Sequence, residues 1–460
     1  MLIQPFRFAA TPVFRTCFLL SALCFGNTAL AQEPLPESNE AKSLCNQGLN
    51  LYEKGKLDEA IALYRQALAI SPAFPEALSN LGLALDAKGK FAEAASMFAQ
   101  ALKWDPTDAF AQGNLGLALF HLGKYADSIA AYQQAIALKP DYPEAYNGLG
   151  AALHASGNTD AAIASYRKAF SLRPRYADAL ANLGAALNAQ QQWDEAIQVY
   201  QQVLPLLPAS ADVQDNYCLA LEHAGRTEEA IVAYRRFLAD HPADPTGWYR
   251  FGHLLYDRAQ LDEAIASFRK SLALKPEQYE ARLALGKAYL DENKLTEAID
   301  AYQKSLLLQP DSVYVLSALA NAYYRTNRYR DAAELFRKAL AVQPDSPDNL
   351  SGLGIALMAA GDFEGAESAL SKVIALQPND PGAQYNLGNL YFKKREYALA
   401  ADHYRESIRL NPNVAETHYN LAMSLFHLNQ VAAAAQEYNI AHSLNPTLFP
   451  GKYSIRGDGK

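Results

Sequence analysis

The stretch "NLGLAL", Asn80 to Leu85, decides the fold because it returns unchanged 34 residues later, from Asn114 to Leu119. With one leucine replaced by alanine it appears again from Asn182 to Leu187. Twelve prolines stand 34 residues apart, with no insertion or deletion, at Pro72, Pro106, Pro140, Pro174, Pro208, Pro242, Pro276, Pro310, Pro344, Pro378, Pro412 and Pro446. A fixed period of this length is the signature of a repeat architecture.

Each repeat predicts two antiparallel helices. In the second repeat, Leu78, Leu81 and Leu85 recur at helical spacing, and Gly89 is placed as a helix C-cap. A second helix is predicted from Phe91 to Trp104. We expect Gly82 and Ala94 to face one another where the two helices cross, because small side chains allow a close approach.

The start of many first helices is marked by capping residues. Ser and Asp are favoured at the N-cap, and proline is favoured in the first helical turn. The predicted N-caps are Asp108, Ser210, Asp244, Ser312, Ser346 and Asp380, and the predicted first-turn prolines are Pro245, Pro347 and Pro381.

The pattern resembles the tetratricopeptide repeat (TPR) family over residues 41–448. The seventh repeat carries the family residues Trp248, Phe251, Gly252, Leu255, Ala264, Phe268 and Pro276. The resemblance implies an all-α, right-handed superhelical solenoid of about twelve tandem 34-residue helix-turn-helix repeats. It also implies an inner groove lined by the first helix of every repeat.

The two ends of the chain predict separate segments. Residues 1–31 have the basic, apolar and small-residue regions of a signal peptide, with cleavage expected after Ala31. Residues 32–40 are a predicted linker, and residues 449–460 are a predicted flexible tail that contains Arg456-Gly457-Asp458. Export to the periplasm or an equivalent extracytoplasmic compartment follows, with lipid anchoring through Cys24 or an extracellular location as alternatives.

Several classes of function find no support in the sequence. The formal net charge is −8 and no basic run is present, so a nucleic-acid partner is not expected. No transmembrane segment is expected after signal removal, and Cys45 and Cys218 are predicted packing residues. We expect no metal, no cofactor and no enzyme activity, because no histidine pair has metal-ligand spacing and no nucleophile has catalytic partners. His418 and His427 are predicted to be solvated or to line the groove.

The sixth residue of each repeat, here called the ladder position, is the best candidate for a contact point. The resemblance implies that this position points into the groove. It holds Asn46, Asn80, Asn114, Gly148, Asn182, Asn216, Arg250, Ala284, Ala318, Gly352, Asn386 and Asn420. Asparagine is a poor residue for a helix interior, and its amide can both donate to and accept from a peptide backbone.

The sequence is compatible with two interpretations of these asparagines. They could bind a peptide, as in the similar asparagine ladder of the O-linked N-acetylglucosamine transferases, or they could bond to the neighbouring repeat. Four aromatic residues of the last two repeats, Tyr385, Phe392, Tyr419 and Phe426, are added to the predicted peptide-binding set.

The predicted function is that of an exported scaffold for protein–protein interaction or complex assembly, which holds a peptide segment or partner helix in its groove. One alternative is a structural spacer in an envelope complex that self-associates through its C-terminal end. Another is a non-catalytic subunit of a transferase.

Overall fold

The computed structural model describes residues 38–448, and these residues form 24 α-helices and no strand. The helices of residues 38–242 are α1 (Asn39–Glu53), α2 (Leu57–Ile70), α3 (Pro75–Ala87), α4 (Phe91–Trp104), α5 (Ala109–His121), α6 (Tyr125–Leu138), α7 (Pro143–Ala155), α8 (Thr159–Leu172), α9 (Ala177–Ala189), α10 (Trp193–Val203), α11 (Ala211–His223) and α12 (Thr227–Asp240). The helices of residues 243–448 are α13 (Pro245–Asp257), α14 (Leu261–Leu274), α15 (Tyr279–Asp291), α16 (Leu295–Leu308), α17 (Val313–Arg325), α18 (Tyr329–Val342), α19 (Pro347–Ala360), α20 (Phe363–Leu376), α21 (Pro381–Lys393), α22 (Tyr397–Leu410), α23 (Ala415–His427) and α24 (Val431–Leu444).

These helices confirm the predicted all-α array of twelve helix pairs. The first helix begins at Asn39, two residues before the predicted start of the first repeat. The predictions for the signal peptide, for most of the linker and for the C-terminal tail lie outside the described residues.

The chain divides into two compact parts at Pro242. In each part, the two helices of a repeat contact each other, and the second helix contacts the first helix of the next repeat. Most first helices also contact the next first helix directly. The odd-numbered helices therefore make up one layer in each part, called here the first-helix layer.

All six predicted N-caps are confirmed. The side chains of Asp108, Ser210, Asp244, Ser312, Ser346 and Asp380 each accept a hydrogen bond from a backbone N–H in the first turn of the helix that follows. Gly89 follows the end of α3 with a φ of 73°, which is the left-handed conformation that glycine adopts at little cost. The repeat boundaries are therefore fixed by local backbone chemistry as well as by packing.

Gly82 and Ala94, which are predicted to face one another, are both buried. At the equivalent pair, a side chain placed at Gly252 would lie 3.2 Å from the Ala264 carbonyl oxygen. The atoms nearest to a side chain placed at Gly82 belong to the ring of Phe98, 2.7 Å away, four residues after Ala94. The glycine thus provides space for a ring of the second helix. Gly48 stands in the same relation to Tyr64, and both aromatic side chains are fully buried.

Cys45 and Cys218 are both buried and neither forms a disulfide, as expected for packing residues. Every helix of residues 38–448 is too short or too polar to cross a membrane.

Candidate functional site

Asparagines at three ladder positions donate to the first helix of the preceding repeat. The Asn182 Nδ2 atom lies 3.0 Å from Asn147 Oδ1. The Asn420 Nδ2 atom lies 3.2 Å from the Tyr385 hydroxyl, and the Asn80 Nδ2 atom lies 3.5 Å from Cys45 Sγ. At these three positions the side-chain amide forms a hydrogen bond with the neighbouring repeat, which is the structural one of the two interpretations.

Three other ladder asparagines differ in their bonding. Asn46 is exposed, whereas Asn114 and Asn386 are half-buried. None of the three side chains has a hydrogen-bond partner among residues 38–448. Each therefore keeps a free amide on the first-helix layer, and that amide has its full capacity to donate and to accept.

The seventh ladder asparagine, Asn216, is buried, with 8% of its surface exposed. Its backbone carbonyl accepts a hydrogen bond of 2.9 Å from Asn188 Nδ2. Asn188 and Asn147 are themselves buried and were not singled out from the sequence. Both are polar at positions where other repeats carry varied residues, and only the contact across the repeat boundary reveals their role.

The presence of glycine at two ladder positions has the same steric explanation. A side chain at Gly148 would lie 2.3 Å from Cζ of Tyr132, and one at Gly352 would lie 2.4 Å from Cζ of Phe336. Both rings come from the second helix of the preceding repeat and occupy the space that a ladder side chain would need. At these two ladder positions, glycine therefore replaces asparagine because an aromatic ring of the preceding repeat occupies the space of the side chain.

Leucines accompany the asparagines in the first three repeats. Leu49, Leu83 and Leu117 each follow a ladder asparagine by three residues, and all three are half-buried. Residues three apart are neighbours on a helix surface. The first-helix layer therefore repeats the same pair, one amide and one aliphatic side chain, three times in succession.

Most of the predicted aromatic contact residues are engaged in internal packing. The Tyr385 ring lies 5.9 Å from that of Tyr404, and the Tyr419 ring lies 6.0 Å from that of Tyr438. The Phe392 ring is 5.4 Å from that of Tyr397, in an edge-on arrangement. Phe426 differs, because 49% of its surface is exposed.

The prediction for His418 is wrong, because its side chain is buried. The Nε2 atom donates to the Pro412 carbonyl at 3.0 Å, and Nδ1 lies 2.6 Å from Glu437 Oε2. His427 is exposed, as predicted, and its ring stacks on Tyr397 at 4.2 Å. Within residues 38–448, no three metal-binding side chains are grouped together.

A polar cluster that the sequence did not reveal joins the tenth and eleventh repeats. Glu367 accepts hydrogen bonds from the Tyr391 hydroxyl at 2.9 Å and from Lys394 Nζ at 3.0 Å. The Lys394 bond, followed by the Tyr391 bond, lowers the pKa of Glu367. His403 stacks on Tyr391 at 5.2 Å, and burial lowers its pKa. The signal in the sequence is Glu367 itself, which stands where most repeats carry isoleucine or alanine.

Two carboxyl groups of the first-helix layer have raised pKa values. Burial raises the pKa of Asp86, although nearby His121 opposes the shift, and the Oδ1 atom has no hydrogen-bond donor among the described residues. Burial also raises the pKa of Asp178. A carboxylate that is desolvated without a partner is held at an energetic cost.

Models of the tetratricopeptide repeat match the chain along most of its described length. They cover residues 48–89, 116–157 and 252–292, residues 75–108, residues 153–215, residues 211–254 and residues 381–414. A model described as the C-terminal domain of cilia and flagella-associated protein 70 matches residues 277–384. No curated protein sequence matches the chain.

Solved structures with a similar arrangement include the APC/C hetero-tetramer Cut9–Hcn1, at 15% identity over 89% of this chain and 94% of that chain, with a TM-score of 0.39. Yeast Tom70 is similar at 17% identity over 89% of this chain and 92% of that chain, with a TM-score of 0.34. PilF of Pseudomonas aeruginosa is similar at 20% identity over 44% of this chain and 92% of that chain, with a TM-score of 0.37. At these TM-scores the likeness supports no functional inference.

The likeness to the asparagine ladder of the O-linked N-acetylglucosamine transferases stays a prediction. The repeat models, the helix pairs and the 34-residue period agree on one family, and membership supports a role in protein–protein interaction. The chain belongs to the tetratricopeptide repeat family.

Proposed function

We propose that this protein is an exported scaffold that holds an extended segment of a partner protein along its first-helix layer. The observation that carries the proposal is the repeated pair of a ladder asparagine and a leucine in α1, α3 and α5. The amide grips a peptide backbone whatever its side chains, and the leucine supplies apolar contact.

The spacing of the repeats suits an extended chain. Packed helices lie about 10 Å apart. An extended chain advances about 3.3 Å per residue, so about three residues of a bound segment correspond to one repeat. The side-chain amides of Asn46 and Asn114 form no hydrogen bond with any described residue. They are therefore the proposed contact points that can be replaced with the least effect on the fold.

Capture of the partner from the native compartment tests this function. Replacing Asn46 and Asn114 with alanine removes two free amides without removing a bond inside the described structure. We expect the recovery of partners to fall several-fold, whereas replacing the exposed second-helix residues Gln66 and Gln133 with alanine leaves recovery unchanged. Equal recovery with both pairs of substitutions would exclude the amides as contact points.

The location is part of the proposal and has its own test. The N-terminal sequence of the mature protein, isolated from the extracytoplasmic fraction, should begin at Gln32. A mature chain that starts at Met1 in the cytoplasmic fraction would contradict export.

Self-association is a second candidate, favoured by one observation on α24. Ile440 is 39% exposed at a position that is polar in every other repeat, where the residues are Gln66, Gln100, Gln134, Lys168, Gln202, Arg236, Lys270, Lys304, Lys338, Lys372 and Glu406. Val431 and Leu444 on the same helix are also exposed. Light scattering over a concentration series tests self-association. A dimer that dissociates on the substitution Ile440→Lys supports it, and a monomer at all concentrations excludes it.

A further inference from the structure

Five of the six first helices of the N-terminal part share an unusual charge content, and the exception is α1, which carries Lys42. Helices α3, α5, α7, α9 and α11 contain no lysine and no arginine. Their acidic residues are Glu76, Asp86, Glu144, Asp178, Asp212, Asp215 and Glu222. Among the second helices beside them, α4, α8 and α12 mix acidic and basic residues, the basic ones being Lys103, Arg167, Lys168, Arg235 and Arg236, whereas α6 and α10 carry acids alone. Acidic residues thus occur in both layers, but α3, α5, α7, α9 and α11 together carry seven acids and no lysine or arginine.

These acids lie beside the ladder. Glu76, Glu144, Asp178 and Asp212 each precede a ladder position by four residues, which places them one turn away on the same helix face. Asp86 follows Leu83 by three residues on α3, so these two side chains are neighbours on the helix surface. A segment bound along the asparagines would therefore pass a row of carboxylates.

Some of these carboxylates are satisfied within the protein. Glu144 pairs with Arg173 at 2.6 Å, and Glu222 accepts a hydrogen bond of 3.0 Å from the Tyr234 hydroxyl. Asp86 and Asp178 are half-buried, and neither side chain has a hydrogen bond or an ion pair among residues 38–448. The protein thus keeps two desolvated carboxylates in the layer that we propose to bind a partner.

We propose that the segment held by the first-helix layer is basic, and that Asp86 and Asp178 are the carboxylates that bind its lysine or arginine side chains. This inference rests on the proposed function and adds the chemical class of the partner. Opposite charge favours the ionised form of a buried carboxylate, so a bound cation relieves the cost that the free protein carries. The first helices of the C-terminal part carry Arg250, Arg282, Lys287, Arg325 and Lys393, so they do not present the same charge.

The proposal predicts opposite effects of one substitution on stability and on binding. In the free protein, Asp86 has a pKa above its ordinary value, so its ionised form opposes folding once the pH exceeds that ordinary value. Asp86→Asn removes this cost, and we expect the variant to unfold at a higher urea concentration. Substitution of a residue with a purely structural role would not stabilise the protein and weaken peptide binding at the same time.

Binding is measured by fluorescence anisotropy with the purified protein and a labelled twelve-residue peptide of four Lys-Leu-Ser units. Matched peptides carry glutamine or glutamate in place of lysine. We expect the lysine peptide to bind about tenfold more tightly than the glutamine peptide, the glutamate peptide to bind least, and the affinity to fall as salt is added. The double substitution Asp86→Asn with Asp178→Asn should lower the affinity for the lysine peptide by about tenfold.

The control removes the same net charge from another surface. Asp127 on α6 and Asp141 in the following loop are both exposed, and replacing them with asparagine should leave the affinity unchanged. Equal binding of the lysine and glutamine peptides, or an unaffected Asp86/Asp178 variant, would overturn the basic-segment inference and leave the groove function standing. Failure of all three peptides to bind would overturn both.

Discussion

The amide nitrogen of Asn182 lies 3.0 Å from the side-chain oxygen of Asn147, one repeat earlier in the chain. Asn147 is buried, with 6% of its surface exposed, whereas Asn114 at another ladder position has no hydrogen-bond partner among the described residues. Residues that share one ladder position therefore differ in what they do for the fold.

That difference predicts unequal effects on stability. Asn182→Ala removes a donor from a buried oxygen and should lower the free energy of unfolding by about 1–3 kcal/mol. Asn114→Ala breaks no bond within the described residues and should change it by less than about 0.5 kcal/mol. Urea unfolding followed by circular dichroism measures both, and equal destabilisation would show that the ladder is structural throughout.

Gly148 should tolerate no larger residue while Tyr132 is present. A methyl group there would meet the ring at 2.3 Å, so Gly148→Ala should lower the free energy of unfolding by about 1–3 kcal/mol. In the presence of Tyr132→Leu the same substitution should cost less, because the ring that it meets is gone. Strict additivity of the two changes in a double-mutant cycle would contradict the steric explanation.

The bond between Lys394 and Glu367 should contribute stability in a pH-dependent way. The pKa of Glu367 in the folded protein is lowered, chiefly by Lys394, so the contribution is present above the ordinary pKa of glutamate and is lost as the pH falls through the lowered value. Both side chains are partly exposed, so Lys394→Met should cost only about 0.5–1 kcal/mol at neutral pH. The difference between the two proteins in urea midpoint should shrink and then vanish as the pH falls through the lowered pKa of Glu367, whereas a constant difference would point to lost packing.

His418 should be replaceable by a residue that keeps its bond to the carbonyl of the preceding loop. Gln214 occupies the same position of the sixth repeat and donates to the Pro208 carbonyl at 2.6 Å. We therefore expect His418→Gln to be milder than His418→Leu, which leaves the carbonyl without this donor and should cost about 1–3 kcal/mol. Thermal unfolding of both variants tests this, and equal losses would mean that packing alone explains the position.

Local chemistry made much of the fold predictable from sequence. The period, the Asp108 and Ser312 caps and the helix end before Gly89 all depend on residues close together in the chain, and the structure confirms them. The additional contact of Gly82 with the Phe98 ring escaped prediction, because which ring of the second helix reaches the glycine depends on the crossing of the two helices.

The candidate site was predictable only as a set of positions. The sequence marks the ladder, but the bonding of Asn80 or Asn182 depends on how adjacent repeats are stacked. The burial of His418 likewise depends on Glu437 of the neighbouring helix. The replacement of isoleucine by Glu367 was visible in the sequence, yet its partners Tyr391 and Lys394 belong to the next repeat.

The central claim is that a partner segment lies along the first-helix layer, and site-specific photocrosslinking in the native compartment tests it most directly. A photoreactive residue at Leu83 or Leu117 should crosslink to a partner protein, and these crosslinks should weaken when Asn46 and Asn114 are alanine. The same residue at Gln133, exposed on the second helix α6, should give none. Crosslinks of equal strength from Gln133, or none from Leu83 and Leu117, would contradict the claim.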